Sequence, residues 1–115
     1  MTLDEAKAVL RIDTDYEDDV IESFLLSAES LTMDVARLTP EEWDAVWAYQ
    51  AGDENVPTIR GEAVSGRRIL HIQKLLLAGV KYALGYMNEH REDADFRGLS
   101  LTIRGIVESV REGVV

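Results

Sequence analysis

The stretch from Arg67 to Arg91 constrains this chain more than any other. Ile69, Leu70, Ile72, Leu75, Leu76, Leu77, Val80, Leu84 and Met87 cover most of the circumference of a helix, leaving one clear polar line of Lys74, Lys81 and Asn88 at seven-residue steps. Such a helix, about 37 Å long at 1.5 Å per residue, is apolar nearly all round. It predicts a central element, packed by the other segments or by another subunit. Its longest purely apolar run, Leu75 to Val80, lies between Lys74 and Lys81 and is too short to span a bilayer. Gly79 and Gly85 each cost about 1 kcal/mol relative to alanine in a helix, a penalty that close approach of a neighbouring helix would offset.

The segments before it read as helices with explicit start signals. Thr2 and Glu5 fit a capping box, and Leu3, Ala6, Val9 and Leu10 follow helical spacing to a stop near Arg11. Ile12 to Asp15 reads as a turn, with Thr14 and Glu17 as a second capping signal. The second helix is expected over about 15–38, because Val20, Ile21, Phe24, Leu25, Ala28, Leu31, Val35 and Leu38 form one broad apolar face. Leu26 and Met33 lie off that face, seven residues apart, as a second, narrow apolar strip. Asp15, Glu17, Asp18 and Asp19 fall in the first turn, where carboxylates oppose the helix dipole favourably. Thr39-Pro40-Glu41-Glu42 is the sharpest local signal: Thr39 caps, Pro40 occupies the first helical position and Glu42 closes the box. The third helix should run to about Ala51, with Trp43, Val46 and Trp47 on one side and Gly52 ending it.

Residues 52–66 carry three glycines and Pro57 without a sustained period, so they are expected to form an irregular loop. After Asp93 the alternation of Leu99, Leu101 and Ile103 with polar neighbours suggests an extended piece. Ile106, Val107 and Val110 suggest a short last helix, with Arg104 and Arg111 exposed, Gly113 at its end and loose final valines. The expected fold class is therefore all-α: a small helical bundle in one domain over residues 1–115. It has one long central helix (about 67–91), a capped second helix (about 15–38) and short flanking helices. At 115 residues such a chain buries roughly two-thirds of the surface its unfolded form exposes, enough for an unaided core.

Charge is spread unevenly. The net charge of −10 divides into −12 over residues 1–57 and +2 over residues 58–115. A surface that negative repels phosphate backbones, which disfavours general nucleic-acid binding. It permits a head-to-tail contact in which one copy's acidic end meets another's basic flank, the kind of contact that closes rings. The plainer account is a solvated acidic face that aids solubility. The absence of cysteine excludes a disulfide scaffold, a zinc ribbon and thiol catalysis. The residues Met1 to Glu5 present no basic stretch before an apolar one, so no signal peptide is expected, and the composition is that of a soluble, intracellularly made protein.

No chemistry-bearing constellation emerges. Asp13, Asp15, Glu17 and Asp19 alternate like the start of a calcium loop, but the sixth position is Asp18 rather than glycine and the twelfth is Phe24 rather than glutamate. His71 and His90 have no partner at ligand spacing. Gly61 to Arg68 faintly resembles a phosphate loop without its Gly-Lys-Ser/Thr ending. No catalytic residue, metal site or cofactor is expected, and the chain does not read as an enzyme.

The opening Leu3-Asp4-Glu5-Ala6-Lys7-Ala8-Val9-Leu10-Arg11-Ile12-Asp13, the acid-rich turn, and Val20-Ile21-Glu22-Ser23-Phe24-Leu25-Leu26-Ser27-Ala28-Glu29 together resemble the start of the tailed-phage head–tail connector family. The long helix ending Asn88-Glu89-His90-Arg91-Glu92 is similar to that family's long helix, and Gly105-Ile106-Val107 with Arg111 resembles its closing segment. The resemblance touches residues 3–38 and about 67–111.

It implies a structural adaptor of a phage or prophage virion. Such a protein forms a ring, usually twelvefold, under the portal protein and offers a surface to tail-side or stopper proteins. DNA only passes through the channel, no membrane is involved, and the protein is made in the host bacterial cytoplasm. On this reading the subunit-interface candidates are Asp15, Glu17, Asp18 and Asp19 of one copy approaching Arg67, Arg68 or Lys74 of the next, together with the strip of Leu26 and Met33. The alternative is an acidic binding protein, such as a DNA mimic that inhibits a nucleic-acid-binding protein. Its carboxylates would be spaced along a surface like phosphates, whereas here they cluster at one helix start.

Overall fold

A computed structural model describes residues 1–113. Its helices are α1 (Leu3–Leu10), α2 (Asp18–Val35), α3 (Pro40–Ala48), α4 (Gly66–Glu89), α5 (Phe96–Ile106) and α6 (Glu108–Glu112), with a two-stranded hairpin, β1 (Thr58–Ile59) and β2 (Glu62–Ala63), between α3 and α4. The expectation of a mostly helical small bundle holds. The expectation of loose final valines falls on residues 114–115, outside the described residues.

Helix α4 is the axis of the bundle, as its apolar circumference requires. Ile69, Ile72, Leu76, Val80, Ala83, Leu84 and Met87 are buried, and α1, α2, α3 and α5 all pack against it. One contiguous core draws on every helix, with Ala6 from α1, Ile21 and Leu25 from α2, Val46 from α3, Leu99 and Ile103 from α5 and Val110 from α6. The two glycines of α4 differ. A Cβ on Gly79 would stand 3.0 Å from Thr32 Cγ2 and 3.5 Å from Ile103 Cγ2, so α2 and α5 both close on α4 at this point. Gly85 faces open space. The close approach that offsets a helical glycine therefore exists at Gly79 alone.

The capping signals hold at Thr2 and Thr39, where both reciprocal hydrogen bonds of the box form. They fail at Thr14. Helix α2 starts at Asp18 with Glu17 in the cap position and no side-chain capping bond, because Glu17 is turned to Arg91 and Lys7 draws in Asp15 and Asp18. Helix α2 also stops at Val35, short of the expected Leu38. Pro40 forces Thr39 into extended backbone to cap α3, so the chain must reverse within Ala36 to Leu38. It does so with Arg37 in the left-handed region (φ 61°) and with Leu38 N–H donating to Met33 O and Arg37 N–H to Asp34 O. This is the ending usually built on glycine. Helix α3 ends at Ala48 rather than Ala51, where Gln73 Nε2 of α4 donates to Val46 O (2.8 Å) and Tyr49 O (3.0 Å).

Three further expectations are corrected. The segment 99–103 is not extended but lies inside α5: Asp95 caps the Gly98 amide, and Leu99 and Ile103 face the core four residues apart while Leu101 points to solvent. The loop 52–66 contains the hairpin, whose two-residue turn Arg60-Gly61 has φ of 50° and 78°, the positive values that a tight hairpin turn demands. Arg111, expected to be exposed, is half-buried.

The hairpin turn positions an anchor. Arg60 Nη1 donates to Arg37 O (2.9 Å) and Ala36 O (3.3 Å), and its Nη2 donates to Val110 O (2.5 Å). Arg111 Nη1 donates to Val35 O at 3.1 Å. Two guanidinium groups thus serve the unsatisfied carbonyls at the end of α2, where a positive charge also complements the dipole. Arg60→Ala is expected to lower stability by about 2 kcal/mol, a typical value for charge-assisted bonds to carbonyls. Arg60→Lys should recover little, since one ammonium cannot reproduce the forked geometry. Urea denaturation of the two variants checks this.

Candidate assembly surfaces

The acidic start of α2 is less open than its sequence implies. Lys7 Nζ lies 2.8 Å from both Asp15 Oδ1 and Asp18 Oδ1, and Arg91 from the end of α4 pairs with Glu17. Arg91 also sits 5.3 Å over the Phe24 ring and bonds Asn88 Oδ1 at 2.7 Å. Of the four acids named from sequence, Asp19 alone makes no ion pair among the described residues. The pairing sets the direction in which these groups' pKa values are displaced. The hydrogen bond from Lys7 holds Asp15 below the ordinary carboxylate range, and the bond from Arg91 does the same for Glu17. Lys7 is raised above the usual lysine value by its bonds to Asp15 and Asp18. Burial works to raise Glu42, but the amide bonds from Thr39 and Arg60 outweigh it and leave it lowered.

These shifts fix a pH dependence. A carboxylate lowered in the folded state stabilises it above the unfolded pKa, near 4, and that contribution is lost as pH falls through the folded value. Lys7 works in the opposite sense: its contribution persists up to the ordinary lysine value and is lost only as pH rises through the raised one. The urea midpoint should therefore change little from about pH 8 to 5 and fall steeply below about pH 4. The combined substitutions Asp15→Asn and Glu17→Gln should flatten that acid limb.

The basic candidates lie at the other end of α4. Arg67 and Lys74 are exposed and make no ion pair among the described residues. Arg68 is half-buried and donates to Ser109 O at 3.3 Å. With Glu17 held at the last turn of α4 and Arg67 in its first, the charged ends are separated by about 36 Å of helix, in a molecule measuring 43 × 28 × 18 Å. They are not brought together within one chain.

The strip of Leu26 and Met33 is one wall of a shallow groove of about 340 Å³ between α2 and α3, completed by Pro40, Trp43 and the carboxylates Glu29 and Asp44. Leu26 is 63% exposed. Trp43 is held in place by an edge-to-face contact with Trp47, at 5.8 Å between ring centres. A second surface was not foreseen from sequence, because α5 was not. Its outer side carries Arg97, Leu101 and Arg104, with Leu101 60% exposed. The signal that could have found it is the spacing Leu99, Ile103, Ile106, which marks the inner face and leaves Leu101 on the outer one.

The groups with displaced pKa values are ion-paired or capping carboxylates and a lysine, all driven away from neutrality, as structural pairs are. His90 stacks on Tyr86 at 4.3 Å and lies 3.2 Å from Asp93, while His71 is exposed at the far end of α4. Among the described residues no cluster of three His, Asp or Glu side chains could hold a metal ion, and no helix is long and apolar enough to cross a membrane.

No curated protein and no solved structure matches the chain. A family model does: that of the phage gp6-like head-tail connector protein, over residues 1–64. The match takes in α1, α2, α3 and the hairpin up to Val64, including the segment 39–64 that the motif resemblance did not touch; α4 and α5 lie beyond it. As the match covers more than half of the 115 residues, the chain belongs to the phage gp6-like head-tail connector family.

Proposed function

We propose that this chain is the structural adaptor that forms a ring beneath the portal and joins the DNA-filled capsid to the tail. The observation that carries the reading is the family membership, which rests on the half of the chain that builds α1 to α3. The physical features agree with it. Helix α4 is packed by α1, α2, α3 and α5 into one contiguous core, and the acidic surface would let DNA pass a channel without adhering. The ring is twelvefold in the arrangement that the resemblance implies, with portal protein on one side and tail-side or stopper proteins on the other.

Charge alone is a weak clasp for such a ring. Asp15, Glu17 and Asp18 already hold cations of their own chain, so pairing between copies through these ends falls to Asp19 with Arg67 or Lys74. Exposed pairs of this kind contribute about 0–1 kcal/mol each. The experiment that tests the reading is electron microscopy of particles assembled without this protein. Filled or leaking heads lacking tails are expected; normally attached tails would overturn it.

A further inference from the structure

Since exposed ion pairs cannot hold a ring, the contact between copies needs an apolar centre, and the molecule carries two surfaces that suit one another. The groove between α2 and α3 is lined by the apolar Leu26, Met33, Pro40 and Trp43 together with the carboxylates Glu29 and Asp44. The amino group of Met1, 3.5 Å from Glu29, is the one cation paired there among the described residues. Together α2 and α3 hold eight carboxylates and no lysine or arginine. The outer side of α5 has the reverse character, an exposed Leu101 between Arg97 and Arg104 in a helix with no carboxylate. Arg97 makes no ion pair among the described residues, whereas Arg104 lies 3.8 Å from Glu108 and 3.7 Å from Glu112.

The two surfaces sit on different sides of the bundle. Met33 lines the acidic groove and Val35 the basic one, and two residues along an α-helix point about 200° apart. Complementary patches on opposite sides of one block cannot satisfy each other within a chain. They also do not form a two-fold pair, because a single contact between two copies leaves an acidic patch unused on one copy and a basic patch unused on the other. A chain of copies satisfies all but the ends, and closure satisfies those too.

We propose that the occupant of the α2–α3 groove is a second copy of this chain, which inserts the Leu101 ridge of its α5 between Leu26 and Trp43 and places Arg97 against the carboxylates Glu29 and Asp44. This contact rests on the adaptor reading and supplies the apolar centre which that reading needs.

The absence of cysteine makes a direct test available. Leu26 and Leu101 are both well exposed, so Leu26→Cys and Leu101→Cys should leave the fold intact, which circular dichroism verifies. Concentrated protein carrying both substitutions, mildly oxidised, should give a ladder of covalent dimers, trimers and larger species. An equimolar mixture of the two single variants should stop at dimers containing one chain of each. Adding Arg97→Glu to the doubly substituted chain should weaken the ladder several-fold, and adding Glu29→Arg and Asp44→Arg as well should restore it. No ladder, or Leu101-to-Leu101 dimers from the single variant, would overturn the contact. The readout is independent of virions. A ladder with normally tailed particles would sink the adaptor role and leave the contact, and tailless particles without a ladder would do the reverse.

Discussion

Gly79→Leu is expected to destabilise the fold by about 3 kcal/mol, at the upper end of what overpacking a well-filled core does. Position 79 is where α2 and α5 both close on α4, and even a methyl group there would meet Thr32 Cγ2 at 3.0 Å. Neither neighbour yields easily. Thr32 is fully buried, with its hydroxyl committed to Ala28 O at 2.8 Å, and Ile103 is fully buried on α5. A leucine must therefore displace one of the two helices. The smaller change is more informative about cause. In Gly79→Ala a helix-propensity gain of about 1 kcal/mol opposes the clash, so its net effect should be small. Thr32→Ser removes the offending methyl while keeping the hydroxyl, and the next atom, Ile103 Cγ2, lies at an ordinary 3.5 Å. The double variant should therefore be more stable than the sum of the single changes by about 1 kcal/mol, a coupling typical of residues in contact. Chemical denaturation of the four proteins measures it. Strict additivity would show that the glycine is not where the helices meet closely.

The contrast between the charged ends and the grooves shows what a sequence conveys about a surface. That Asp15, Glu17 and Asp18 lie at a helix start is legible from one segment. That Lys7 and Arg91 neutralise them is not, because those cations are eight or more residues away for Asp15 and 74 away for Glu17. Local sequence reports where charge is, and only the packing reports whether it is spent. The Leu26 and Met33 strip was legible for the same local reason, both residues being on one helix. Its conversion into a groove depends on the reversal at Arg37 that lays α3 alongside α2. Helix ends were readable where the signal is a side chain acting on its own turn, at Thr2 and Thr39. The end of α2 was misread, because its stop is a backbone conformation with no distinctive residue, the left-handed Arg37 standing where glycine is usual.

Helix α5 is the largest element that the pattern did not disclose, and it gives the second prediction. Leu99, Leu101 and Ile103 alternate, and in a strand all three would share a face. In a helix Leu99 and Ile103 share a face while Leu101 turns away, which is what the structure has: 2% and 0% exposure against 60%. The helix prevails because Asp95 caps it and because Ile103, Val107 and Val110 extend the buried line toward α6. Ile103→Ala should cost about 3–4 kcal/mol, the range for emptying a fully enclosed site. Leu101→Ala should stay within about 0.5 kcal/mol, as surface changes do. The pair separates the two geometries without a structure determination, since an extended segment requires both substitutions to destabilise alike. It also bears on assembly. A Leu101→Ala protein that unfolds like the parent but associates less than the parent at high concentration in analytical ultracentrifugation would place the residue's role between copies, where an exposed leucine on a well-anchored helix has a purpose that the monomer alone does not supply.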